Sequence, residues 1–184
     1  MNFKMLPCVA FAGAMSMAVM YNSASASDGT VPPQALYSQL ESFHGQVCAG
    51  SIFGARLGLA AKEALKKAGG TGKFTARYYD LSCPVDGIQM AAGTTYGNKA
   101  LMVQDRDEHR LVLIAEGNKL AVKARLTKKA EEMGQKSREL VKKAKALPTG
   151  SPERVQAELA IEEIYSWLKS APAAEVVTIN LLKK

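Results

Sequence analysis

The sequence is poor in the residues that carry acid–base, metal or thiol chemistry, with two histidines and three cysteines among 184 residues. Every candidate site therefore has to pass through very few positions. No internal repeat, low-complexity tract or dividing linker interrupts the chain, which excludes solenoid and multidomain arrangements. The N-terminal apolar run "MLPCVAFAGAMSMAVM" covers roughly 16 residues, short of the ~20 that span a bilayer. Aromatic residues are absent from the most basic part of the chain, so the platforms on which bases stack are missing there.

What is present begins with that apolar run. Lys4 stands before it, and Ala24-Ser25-Ala26 follows with the small residues of a cleavage site. This is the pattern of a secretory signal over residues 1–26, cut before Ser27, with a mature chain of residues 27–184. Cys8 does not follow the apolar region, as a lipoprotein signal requires. The expected location is periplasmic, with no transmembrane segment after signal cleavage. The mature chain then keeps only Cys48 and Cys83. In an oxidising compartment two cysteines are first of all a disulfide candidate.

A composition of 47% hydrophobic and 22% charged residues is that of a globular domain with a real core. "QALYSQLESFHG" spaces Leu36, Leu40 and Phe43 as a short helix ended by Gly45. "AGSIFGARLGLAAKEALKKAGG" predicts a longer helix closed by Gly69 and Gly70. Its Gly50, Gly54 and Gly58 recur every fourth residue, a stripe that favours close packing of a neighbouring helix or strand over a cofactor. "KFTARYYDLSC" reads as a strand leading to Cys83, and "PVDGIQMAAG" as a short helix with Pro84 in its first turn. "ALMVQD", "RLVLIAEG" and "KLAVKARL" predict an antiparallel meander, with "RDEH" as a turn and His109 exposed on it. A helix over 127–147, a second one capped by Ser151 with Pro152 at its first position, and a final strand "AEVVTINLL" complete the chain. The expected fold class is α+β, a single domain with a mostly antiparallel sheet and helices packed against it.

The formal net charge is +7, and loss of Lys4 with the signal leaves +6. All of this positive balance lies between Lys119 and Lys145, on one strand and one helix. Glu131, Glu132 and Glu139 are interleaved with the basic residues, so a solvated helix face is the better reading than a nucleic-acid surface. No nucleic-acid partner is expected.

Two short segments concentrate the reactive side chains. "FHGQVCAG" holds His44 and Cys48; "CPVDGIQMAAGTTYGN" holds Cys83, Asp86, Gln89 and Thr94. Cys48 stands just before a helix, where free N–H groups and the dipole lower a thiol pKa, and Cys83 would stand similarly. Thiolates and imidazole bind soft or borderline metals, and His44, Cys48 and Cys83 are enough for an open site. Asp86 could be a fourth ligand or hydrogen-bond a ligand. A disulfide, a nucleophilic Cys48 with His44 as its base, and inert packing stay open at this point.

Taken together, the two segments resemble the formylmethanofuran dehydrogenase FmdE-like family. Its first motif reads F-H-G-H-x-C-P-G and its second C-x-x-D-x-I-Q-x-x-x-G-C-T-x-G, so the likeness covers roughly Phe43 to Lys145. The resemblance implies an α+β domain with a cysteine- and histidine-lined metal pocket, zinc first among the metals. His44, Cys48 and Cys83 are the implied ligands, with Asp86, Gln89 and Thr94 as cofactor-binding neighbours. Gln46 replaces the family's second histidine and Thr94 its second cysteine, and both changes remove strong ligands. No cysteine follows Cys83 in this sequence, so the zinc ribbon of some relatives is not expected here. An exported single domain would not meet the cytoplasmic dehydrogenase complex, and that activity is not expected here. The sequence thus predicts a periplasmic protein holding a transition metal or a metal-containing ligand. The alternative is an exported thiol redox protein or enzyme acting through Cys48, with Cys83 as resolving cysteine. A third reading has the basic helix bind an acidic partner, and homodimer formation stays open.

Overall fold

The computed structural model describes residues 32–182. The signal peptide expected over residues 1–26 lies outside them. Six helices and five strands follow one another as α1 (Gln34–His44), α2 (Ala49–Lys67), β1 (Phe74–Tyr79), α3 (Pro84–Ala92), β2 (Leu101–Val103) and β3 (Glu108–Ala115), then β4 (Ala121–Leu126), α4 (Lys128–Ala146), α5 (Pro152–Ser170), α6 (Ala173–Val176) and β5 (Val177–Leu182). The strands form one mixed sheet in the order β2-β1-β3-β4-β5. Every pairing is antiparallel except β1 with β2.

The sheet buries one face. Leu111, Leu113 and Ala115 on β3, with Val122, Ala124 and Leu126 on β4, alternate with half-exposed or exposed residues, the period of a strand covered on one side. The covering element is α2, whose Ile52, Phe53, Ala55, Leu57, Ala61 and Leu65 are all inaccessible or nearly so. A helix buried this completely is the centre of the fold, with the sheet on one side and α3 on another. On the opposite sheet face Arg110 lies 3.7 Å over the Tyr79 ring and also bonds Glu108.

The expected meander is corrected at its first hairpin. β2 does not pair with β3; it runs parallel to β1, which inserts between them. The α3 crossover explains this, since a strand reached through a helix returns parallel to the strand it left. β3 and β4 do form the expected hairpin.

The glycine stripe has its cause in α3. A Cβ on Gly54 would lie 1.9 Å from the Pro84 carbonyl oxygen, and one on Gly87 would lie 2.2 Å from the Ser51 oxygen. Gly50 faces Cys83, Gly54 faces Pro84, and Gly58 faces Ala91. Contacts advance in the same direction along both helices, so α2 and α3 run parallel and their N-termini lie side by side. Among the described residues no helix is long and apolar enough to cross a membrane.

Candidate metal centre

Three side chains from three segments meet where α2 and α3 begin. Cys48 is the N-cap of α2: its sulfur accepts the Ser51 backbone N–H at 3.4 Å, and the Ser51 hydroxyl accepts the Cys48 N–H at 3.0 Å. Cys83 takes the N-cap position of α3, ahead of Pro84. His44 is the last residue of α1, and Gly45, in the left-handed conformation at φ 85°, turns the chain back toward Cys48. One ligand atom from each of His44, Cys48 and Cys83 lies within 4.8 Å of the other two.

That spacing suits a shared ion. Zinc bonds of about 2.3 Å to sulfur and about 2.0 Å to nitrogen, held tetrahedrally, put S and N about 3.5 Å apart. The Cys48 sulfur and the His44 Nε2 are 3.8 Å apart. The other ring nitrogen, Nδ1, donates to Asp86 Oδ2 at 2.6 Å. Asp86 is itself held by the Gln89 amide at 3.3 Å, and the Gln89 oxygen accepts the Tyr96 backbone N–H at 3.0 Å. A carboxylate behind the imidazole fixes its tautomer and turns Nε2 toward the thiols, the usual support of a metal-binding histidine. Asp86 therefore acts on His44 and stands outside the three-residue cluster.

The electrostatics separate the two thiols. Burial pushes Cys48 up, but hydrogen bonds from the Ser51 backbone and hydroxyl, with Cys83 and His44, outweigh it and leave its pKa lowered. Cys83 is raised, first by burial and then by the neighbouring Cys48 sulfur. The His44 pKa is raised by its hydrogen bond to Asp86, against the opposing effect of burial. Cys48 is thus the first to become thiolate, beside an imidazole inclined to be cationic. Both cysteines are free thiols in this structure.

The thiols open into a cavity of about 530 Å³. Its lining includes Gln46, Cys48, Phe53, Asp80, Cys83, Asp107 and His109, together with Arg138, Val141 and Lys145 of α4. Gly134 brings α4 this close, because a Cβ there would lie 2.4 Å from the Phe53 ring. Most of the basic helix is the solvated face expected from its charge pattern, yet two of its cations border the site.

Of the residues singled out from sequence, His44, Cys48 and Cys83 come together, and Asp86 and Gln89 stand behind His44 as a hydrogen-bonded chain. Thr94 is not brought to the cavity. It lies beyond the C-terminal end of α3, wholly buried, with its hydroxyl unpartnered. His109 is a correction of the opposite kind. It lies on β3, half-buried, with Nδ1 3.0 Å from the Tyr78 hydroxyl and 3.3 Å from Asp80. The β1–β3 register jumps from Tyr78↔Leu111 to Tyr79↔Glu108, and this irregularity sets His109 free of the ladder. The signal was in the parity: His109 shares the side of Leu111, Leu113 and Ala115, so a strand begun two residues earlier faces it inward.

Comparison with known proteins agrees with this architecture. The family described as FmdE, molybdenum formylmethanofuran dehydrogenase operon, matches residues 43–178. The chain belongs to the FmdE family. The match starts one residue before His44 and includes every element except most of α1 and most of β5. Among solved structures, the fold resembles a tungsten formylmethanofuran dehydrogenase FmdE-like protein from Syntrophus aciditrophicus. The two are 20% identical over 82% of this chain and 71% of the other, with a TM-score of 0.55. No curated protein matches the chain. FmdE membership therefore rests on the family match, and the structural likeness adds the shared fold.

Proposed function

We propose that this FmdE domain is a periplasmic metal-binding protein in which Cys48, Cys83 and His44 hold a transition metal, zinc before others. The observation that carries the reading is the convergence of two thiols and one imidazole nitrogen within 4.8 Å. Two supports stand beside it: both thiols occupy helix N-termini, and Asp86 orients the histidine. With three protein ligands, such a metal keeps a position for a small ligand and supplies Lewis acidity there. Export follows from the sequence pattern around Lys4 and Ala24–Ala26, and it separates this chain from the dehydrogenase complex for which the family is named.

Elemental analysis of the mature protein, purified without a histidine tag, tests the metal. About one equivalent is expected, falling in Cys48→Ser. Less than about a tenth of an equivalent, unchanged in that variant, sinks the reading.

A second reading rests on the same sulfur pair. A lowered thiol pKa at Cys48 next to an exposed Cys83 is the arrangement of a nucleophilic and a resolving cysteine. Thiol titration with and without reductant separates the two. Protection of both thiols by bound metal favours metal binding, and a reversible disulfide with a measurable potential favours redox work.

A further inference from the structure

The packing of α2 on α3 brings Cys48 and Cys83 close enough to react with each other. Their sulfurs lie within 4.8 Å at two helix N-termini set side by side. Gly50 keeps the space between them open: a Cβ there would lie 2.9 Å from the Cys83 Cβ and 3.7 Å from the Cys48 sulfur. A disulfide needs the sulfurs about 2 Å apart, so closing one asks for a shift of at most about 3 Å, within reach of rotation about the two Cα–Cβ bonds. The start of α2 does not depend on the sulfur alone. The Ser51 hydroxyl accepts the Cys48 N–H at 3.0 Å and donates to the Cys48 carbonyl at 3.0 Å, and neither bond uses the thiol.

Access separates the two thiols. Cys83 is exposed and Cys48 half-buried, and both line the same cavity. A metal held by both sulfurs keeps both deprotonated, so thiolate fraction no longer chooses which of them attacks first. Reach then decides, and it favours Cys83. Of the three residues that converge here, His44 alone is untouched by thiol oxidation. One imidazole is far short of the three or four protein ligands that hold such an ion.

We propose that Cys48 and Cys83 form a metal-release switch worked by exchange with a low-molecular-weight disulfide. The Cys83 thiolate attacks one sulfur of the incoming disulfide and expels the other as a thiolate. The Cys48 thiolate then attacks the Cys83 sulfur of that mixed disulfide and expels the second thiolate. Two electrons pass from the two protein sulfurs to the incoming disulfide, and the two negative charges that face a divalent ion are lost. The inference rests on the metal reading and adds its regulation. It also reverses, for the metal-bound protein, the order of sulfurs that the redox alternative assigns.

The mature protein, loaded with zinc, is treated with excess oxidised glutathione beside a control without it. A chromophoric chelator reports free zinc, and intact mass after acid quenching reports the state of the sulfurs. Zinc release is expected in step with one intramolecular disulfide, and a thiol reductant should restore uptake. A short pulse of iodoacetamide on the zinc-loaded protein should label Cys83 about tenfold or more ahead of Cys48, read in a peptide digest. Cys48→Ser, which lacks the second attacking sulfur, should stop at a stable glutathione adduct on Cys83.

Zinc that stays bound after the disulfide has formed overturns the proposal. So do thiols that stay reduced, with zinc in place, under excess oxidised glutathione overnight. Labelling of Cys48 ahead of Cys83 overturns the order of the two sulfurs. A protein that takes up no zinc ends the metal reading and the release with it, whereas zinc uptake without release ends this inference alone.

Discussion

Asp86 decides what His44 can be. A histidine at a helix end next to a glycine is ordinarily a solvated residue, but the 2.6 Å bond to Asp86 Oδ2 commits its Nδ1 and aims Nε2 at the Cys48 sulfur. Asp86→Asn is therefore expected to lower zinc affinity about 10–100-fold, measured by competition with a chromophoric chelator, while the melting temperature barely moves. Thr94 gives the complementary case. Its hydroxyl is enclosed and makes no hydrogen bond, so its burial costs free energy without return. Thr94→Val keeps the shape and should raise stability by about 1 kcal/mol in denaturant unfolding. The sequence left Asp86 two alternatives, ligand or support of a ligand, and the structure pairs it with His44. The inward side of His109 was hidden because "RDEH" has the composition of a turn, while its last two residues begin β3.

At the scale of elements, the contact of α2 with α3 builds the site. Gly54 and Gly87 let two parallel helices approach until backbone meets backbone, and that approach sets Cys48 beside Cys83. Gly54→Ala would force a methyl into the Pro84 carbonyl, so a loss of about 2 kcal/mol or more is expected in stability. Metal uptake should fall with it, because the helix N-termini must part. Cys48→Ser separates the two roles of one residue. A serine oxygen caps a helix as well as this sulfur does, so stability should stay within about 0.5 kcal/mol while metal binding is lost. The glycine stripe showed that something packs there. It did not show that the partner was α3 running parallel, because spacing on one helix carries no direction for its neighbour.

Across the whole molecule, the helical layer is tied together by a buried polar clamp. Arg56, 2% exposed, donates to the carbonyls of Lys169, at 3.1 Å, and Ala171, and Tyr37 donates to the same Lys169 carbonyl at 3.4 Å. Burial pushes the Tyr37 phenol up to about 12. Between pH 10 and about 12 the unfolded chain loses this proton while the folded one keeps it, so stability falls as pH rises through that window. The contribution is whole below pH 10 and amounts to about 3 kcal/mol. Tyr37→Phe should flatten the alkaline limb of the stability profile, though only partly, because burial also raises Tyr78 and Tyr165.

Local chemistry was enough to place α1, α2, α3 and α5, because caps, prolines and glycines act within a few residues of where they stand. The same holds for the thiols at helix starts and for the positive charge of α4. The family was legible too, since its two motifs are contiguous stretches. What only the tertiary structure decided are relations between distant segments: β1 inserted between β2 and β3, His44 joined to Asp86, and α4 laid over the thiols with Arg138 facing the cavity side. These depend on which surfaces exclude water together, and no residue carries that information until its partner from another part of the chain is in place.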